Sequence, residues 1–229
     1  MTPTRLLTLA LFAAASSPAL AVSNGQFTAG LSHWDTLGDA VVQGQTLLLT
    51  SAFDADDDAA GNFNFSGQPA AMALSADGVE VFAGLAIGAL DGDLQAAEGS
   101  VARQQFSVQA GDTLHFDWQL LTNEQGTSAL PDLGFAVLNG QLFSLAEALA
   151  AQAPGEFGFA AGTGWQRFSY TFSQAGLASL AFGVVDRGDF VTTSALAVQN
   201  VTVTPVPEPA AWALVLAGAG VLLMARRRG

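Results

Sequence analysis

At positions 113–120 the chain reads TLHFDWQL: Leu114, Phe116, Trp118 and Leu120 take every second place, and Thr113, His115, Asp117 and Gln119 take the others. A period of two puts one set on each face of an extended strand, whereas a helix would scatter both sets around its surface. Such a segment has to be half buried in a sheet, with one apolar face and one wet face. The stretch WQRFSYTF repeats the pattern, with Phe168, Tyr170 and Phe172 opposed to Arg167, Ser169 and Thr171. Around 179–186, Leu180, Phe182 and Val184 fall together. Near the end of this region Leu196 and Val198 are in phase with one another but Val201 and Val203 are not, which predicts a β-bulge at Gln199 or Asn200.

Further strands are expected at 46–52, 101–108 and 133–138, and clusters of Gly, Asp, Asn and Pro separate them. About eight short strands with turn signals between them specify an all-β chain, and we expect a single jelly-roll-like antiparallel β-sandwich. Two short helices are expected as lids over the sandwich ends. One follows the capping box Ser144-Leu145-Ala146-Glu147 and stops at Pro154-Gly155, and the other lies within 77–85. No repeat of solenoid or propeller period is present.

The two ends read differently from this body. Arg5 precedes an apolar run at 6–15, and Ser16, Ser17 and Pro18 lead to Ala19-Leu20-Ala21. A positive residue, a short apolar core and a small-x-small site form a secretory signal, with Ala19 and Ala21 marking cleavage after residue 21. The expected organisation is a signal peptide at 1–21, a β-sandwich domain at 22–205 and a separate tail at 206–229. A body of that length fits one all-β domain and buries a core without staples. That matters because an exported chain has access to disulfides and this one contains no cysteine.

The formal net charge is -13. Within the body the only cations are Arg103, Arg167 and Arg187, while every carboxylate of the chain except Glu208 lies there. So anionic a surface repels phosphate backbones, which excludes nucleic acid as a partner. Solubility is the plain consequence of such acidity, and attraction for divalent cations is the sharper one.

The densest group is DADDD, with Asp54, Asp56, Asp57 and Asp58 in one loop. Hard carboxylate oxygens suit calcium. The EF-hand pattern fails, because Ala59 stands where a glycine is needed and Phe65 where the bidentate Glu belongs. A calcium site assembled from several loops, with Asp91 and Asp93 or Asp186 and Asp189 as helpers, stays open beside a simple solvated acidic loop. Chemistry of other kinds has little to stand on: His33 and His115 are the only histidines, and there is no G-x-S-x-G elbow, H-E-x-x-H helix or phosphate-binding loop. Trp118 is in phase with Leu114 and Phe116 and reads as core. Trp34 and Trp165 are the candidates for a platform that stacks on sugar rings.

The tail carries Val206-Pro207-Glu208-Pro209, an uncharged apolar run at 210–225, and Arg226, Arg227 and Arg228. As a helix the run spans about 24 Å, short of the ~30 Å hydrocarbon core, with the arginines on the cytoplasmic side. This order of elements resembles the PEP-CTERM sorting signal of Gram-negative bacteria. The resemblance implies recognition and cutting by exosortase, a multi-spanning membrane cysteine protease. Pro207, Glu208, Pro209 and the three arginines would be recognition residues, and anchoring through a transmembrane helix would be transient. It also implies export through the secretion machinery, residence in the cell envelope or extracellular matrix, and an association with exopolysaccharide and biofilm.

The body itself resembles carbohydrate-binding jelly-roll modules at SNGQFTAGLSHWDTLGDA, through Asn24, Gly25, Phe27 and Trp34. Such modules often hold a structural calcium between an acidic residue after the Phe and one in the last strand. Here Thr28 and Gln199-Asn200 occupy those places. The sequence therefore leads to an exported, exosortase-sorted, non-enzymatic surface or matrix protein. A carbohydrate-binding module is the alternative, and a glycoside-active enzyme is a further one.

Overall fold

The computed structural model describes residues 22–53, 63–75, 78–124 and 131–206. The acidic loop Asp54, Asp56, Asp57 and Asp58 lies outside them, as do the signal region with Ala19 and Ala21 and the tail with Pro207, Glu208, Pro209, Arg226, Arg227 and Arg228.

The strands are β1 (Asp35–Leu37), β2 (Asp39–Gln43), β3 (Thr46–Thr50), β4 (Ala71–Met72), β5 (Ala96–Val108), β6 (Thr113–Thr122) and β7 (Leu133–Leu138), then β8 (Gln141–Glu147), β9 (Ala153–Pro154), β10 (Ala161–Gly162), β11 (Gln166–Thr171), β12 (Gly176–Arg187) and β13 (Ser194–Thr204), with helix α1 (Val79–Ala83) between β4 and β5. They form two antiparallel sheets. The first runs β1-β5-β12-β7-β8, with β4 also on β5, and the second runs β2-β3-β13-β6-β10-β9, with β11 also on β6. The chain swaps sheets from β5 to β6, from β6 to β7, from β11 to β12 and from β12 to β13. This is the jelly-roll-like sandwich that the alternating segments predict.

The period-two pattern decides what lies between the sheets. Leu47, Leu49, Leu114, Phe116, Trp118, Leu120, Leu196 and Val198 come from the second sheet. They meet Ala102, Phe106, Ala136, Leu138, Leu180, Phe182 and Val184 from the first in one buried cluster. The intervening residues of several strands are also apolar, so each sheet has a second buried face. On the first sheet Val101, Leu133, Phe135, Val137, Ala181 and Val185 are covered by Val79, Ala83 and Leu90. On the second, Leu48, Leu121, Ala195 and Ala197 are covered by Phe63 and Phe159, with Trp165 partly buried against them. This explains the unbroken runs TLLLT and LGFAVL, which are buried on both faces.

Buried carboxylates fix the covering segments by accepting backbone N–H groups. Glu80 of α1 takes Gly88 N and Leu90 N, each at 2.6 Å. Asp39 takes Phe65 N at 3.0 Å and Ser66 N at 2.7 Å. Part of the acidity is therefore structural, since charge-assisted bonds of this kind satisfy loop donors that would otherwise be buried unpaired.

The bulge expected in the last strand is present, as a register shift against β6 between Gln199 and Thr202. Asn200 there adopts a left-handed conformation, φ 57°. The helix expected after Ser144 is not formed: those residues make strand β8, and only a single 3-10 turn follows at Ala148–Ala150. The competing signal is Asn139-Gly140, with φ 51° and 78°. These are the values a two-residue type I′ hairpin demands, and they send the chain straight back along β7. Of the second expected helix, α1 is formed. It covers the outer face of the first sheet instead of closing an end, because Val79 and Ala83 are needed over Phe135 and Val185.

The stretch after Ser23 is a series of turns up to the start of β1, not an N-terminal strand. Asn24 organises it, donating from Nδ2 to Gly30 O (2.8 Å) and Ser32 O (3.0 Å) and accepting Ala29 N (3.1 Å) at Oδ1. Phe27 and Trp34 turn inward. Trp34 is 6% exposed, with its ring 5.4 Å from Phe27 and 5.7 Å from Phe182. Replacing Trp34 by Ala should therefore cost about 3–5 kcal/mol in urea unfolding of the full chain, while Trp165→Ala should cost less than about 2 kcal/mol.

Candidate binding site

Alternation along β5 turns Arg103 and Gln105 outward on the first sheet, and β12 places Ser179 and Ala181 beside them. Above this floor α1 ends in Phe82, Ala83 and Gly84. The segment His33–Asp35, leading into β1, forms the opposite wall. Together they enclose a trough of about 480 Å³, within the ~300–1,000 Å³ typical of small-molecule clefts.

Each part of the trough is held from behind. Arg103 lies over the Phe82 ring, with Cζ 4.1 Å from its centroid, and donates from Nη1 to Phe82 O at 3.0 Å. Its Nε is 3.6 Å from Asp35 Oδ2, and both side chains are exposed. The guanidinium is thus pre-oriented by the aromatic face and the carbonyl, with donors to spare. Gln104, pointing the other way, accepts Ser23 N at Oε1 (2.7 Å) and donates from Nε2 to Ser23 O (2.9 Å) and His33 O (2.8 Å). This amide ties the N-terminal turns to β5 and fixes where His33 stands. At the far end Asn139 Oδ1 accepts Ser179 N at 2.9 Å. Guanidinium, amide, hydroxyl, imidazole and carboxylate therefore line one concave surface on rigid strands. Donors such as Arg103 and acceptors such as Asp35 both line it.

A second polar area lies on the outside of the other sheet. Arg167 grips Asp117 with Nε–Oδ1 at 2.7 Å and Nη2–Oδ2 at 3.2 Å, and Asn200 Nδ2 donates to Asp117 Oδ2 at 2.8 Å. The Arg167 guanidinium above all, helped by Asn200, holds the Asp117 carboxyl below its usual range. His115 Nδ1 pairs with Ser169 Oγ at 2.8 Å. These groups satisfy one another on a flat surface.

The residues singled out from sequence fare differently. Trp34 belongs to the core and offers no free ring face. Trp165 stands at the start of β11, half buried over the Phe63–Phe159 cluster and away from the trough. His33 is exposed in the trough wall. Thr28 and Asn200 lie in segments brought close together, since Val201 N donates to Gly25 O at 2.9 Å and a side chain at Gly25 would collide with Val201 O. Neither position is a carboxylate. Among the described residues no group of three or more His, Asp or Glu side chains is arranged to hold a metal ion. Also among the described residues, no helix is long and apolar enough to cross a membrane. Arg103 and Gln105 were visible in the sequence as the wet face of a strand. Their partners Phe82 and Asp35 come from segments whose packing no local pattern encodes.

No protein-family model matches the sequence, and neither does any curated protein. Among solved structures the fold is similar to a CBM61 carbohydrate-binding module, TmCBM61, determined with β-1,4-galactotriose, at 11% identity over 83% of this chain and 100% of that one, TM-score 0.38. It is similar to a CBM4 module at 10% identity over 80% and 99% of the two chains, TM-score 0.36. A third similarity is to the K3 cleaved adhesin domain of Lys-gingipain from Porphyromonas gingivalis, at 14% identity over 81% and 99%, TM-score 0.38.

Proposed function

We propose that the sandwich is a carbohydrate-binding module, and that the observation carrying this reading is the trough around Arg103. Sugar hydroxyls need donors and acceptors in alternation on a surface that does not rearrange. Arg103 braced on Phe82, Asp35 opposite it, and Gln105 and Ser179 on neighbouring strands provide that set. The chain turns nothing over in this reading; it holds its ligand. Its net charge of -13 selects among glycans, because a uronate or sulfated chain would be repelled from the whole surface while a neutral or aminated one would not. The tail complements this role as a PEP-CTERM signal, delivering the module to the envelope or matrix of a Gram-negative cell. There a polysaccharide-holding domain serves as a surface or matrix component.

On immobilised glycans the full chain should retain neutral or aminated oligosaccharides and ignore uronate and sulfated ones. Arg103→Ala should weaken retention at least about tenfold, the loss of one charge-assisted hydrogen bond of roughly 1.5–3 kcal/mol. Its unfolding free energy should move by less than about 1 kcal/mol, since the Asp35 pair is exposed. No retention of any neutral or aminated glycan, or equal retention by the variant, would refute the assignment. For the tail, the mature protein's C-terminal mass should show removal of residues beyond the Pro207–Pro209 element in cells with exosortase and a full-length C-terminus in cells without it. A full-length end in both would discard the sorting claim.

A further inference from the structure

At the end of the sandwich opposite the Gly25–Val201 contact, the layer between the sheets changes from apolar to acidic. Asp132, just before β7, and Asp186, on β12, are each 1% exposed, and their carboxyl groups lie in hydrogen-bonding contact. Both belong to the first sheet, and Asp132 reaches across to the second. The Ser194 hydroxyl of β13 donates to Asp132 Oδ2 at 2.6 Å and lies 2.8 Å from Thr122 Oγ1 of β6, and the Ser51 hydroxyl beyond β3 donates to Ser194 O at 3.2 Å and accepts Ser194 N at 3.0 Å. Asp186 Oδ1 has no hydrogen-bond partner among the described residues.

Among the described residues no cation forms an ion pair with either carboxyl group. The ionisable groups that act on it are Glu98 from β5, Glu124 after β6 and Asp189 after β12, and all are acidic. Arg187 is adjacent in sequence but gives Asp132 Oδ1 only its backbone N–H, at 3.1 Å. Its guanidinium turns away, donating from Nε to Leu90 O at 2.8 Å and from Nη1 to Glu147 Oε1 at 3.1 Å. Two buried carboxylates in contact cannot both ionise without a large desolvation and repulsion cost, as in paired-carboxyl sites generally.

We propose that Asp132 and Asp186 share a proton at the inter-sheet seam, where Ser194 of the second sheet bonds Asp132, and act as a pH-sensitive latch, closing this end of the sandwich in acid and loosening it as the medium becomes alkaline. Burial first, tempered by the Ser194 hydroxyl and the Arg187 N–H, pushes Asp132 up from 3.8 to about 7. Burial and then the Asp132 charge push Asp186 well above its ordinary value. A carboxyl whose folded value is raised contributes its full stability below the unfolded value, near 3.8. That contribution is lost as pH rises toward and through the folded value. Stability should therefore decline across the neutral range, the reverse of what a salt-bridged carboxylate such as Asp117 contributes. Above that range two like charges stand side by side in the seam, and among the described residues no cation is paired with either.

The test is thermal melting of the full chain at pH 5 and pH 8, beside Asp186→Asn and the surface control Asp93→Asn, which removes the same charge from an exposed position. The wild type should melt lower at pH 8 by roughly 5 °C or more. Asp93→Asn should do the same. Asp186→Asn should lose at least half of that drop and melt above the wild type at pH 8. An undiminished drop in Asp186→Asn would overturn the proposal. So would a calcium-dependent rise in the wild type at pH 8 that Asp186→Asn abolishes, since the pair would then answer to a cation. Should the variant not fold, carboxyl-carbon NMR of the wild type decides the matter. Two side chains titrating together near neutrality support the latch, and titration of every Asp below pH 5 eliminates it.

Discussion

Everything in this molecule follows from sheets that are apolar on both faces. A sandwich whose sheets face water outside needs one core; here three layers of side chains have to be kept from solvent. The outer two can be covered only by loops and one helical turn. Those covers are the segments with the least intrinsic structure, so they need fixing points, and buried carboxylates supply them. Glu80 and Asp39 each convert a wandering loop into a lid by taking two backbone N–H groups. An acidic sequence thus contributes more than solubility. The trough is a by-product of the same necessity: where α1 stops at Gly84, the outer face of the first sheet passes from covered to open, and Arg103 and Gln105 stand at that boundary.

The rigidity of the trough has a similar origin. Its floor is paired on both sides, β5 between β1 and β12, and its most mobile side chain rests on an aromatic ring. A surface of this kind would lose little order if a ligand filled it. On the opposite sheet the Asp117 carboxylate is held by Arg167 and Asn200.

The strands and their facing could be read from Leu114, Phe116, Trp118 and Leu120 because burial on a pleated sheet is a local, periodic requirement. The bulge in β13 was readable for the same reason, as a phase change between Val198 and Val201. Residues 144–147 were misleading: a capping-box pattern is a short-range preference, and the left-handed geometry that Asn139-Gly140 adopts outweighs it by dictating where the next residues must go. Trp34 carries no periodic mark of burial, and its packed place depends on Phe182, far away in sequence. The trough was half legible. Its strand-borne residues followed from alternation, whereas the wall came from α1 and the N-terminal turns, whose docking is tertiary. Asp186 stood out only as a possible helper for a calcium site, and Asp132 only as one more acid in an acidic chain.

The position of β13 has a mechanical consequence. It is the last described strand, it lies between β3 and β6, and two residues beyond its end Val206 N donates to Asp112 Oδ1. Force transmitted from whatever follows would run along this strand. The ladder bonds on both flanks would be sheared together, not peeled one at a time, and the bulge at Gln199 would interrupt the slide. A domain built this way yields late under traction.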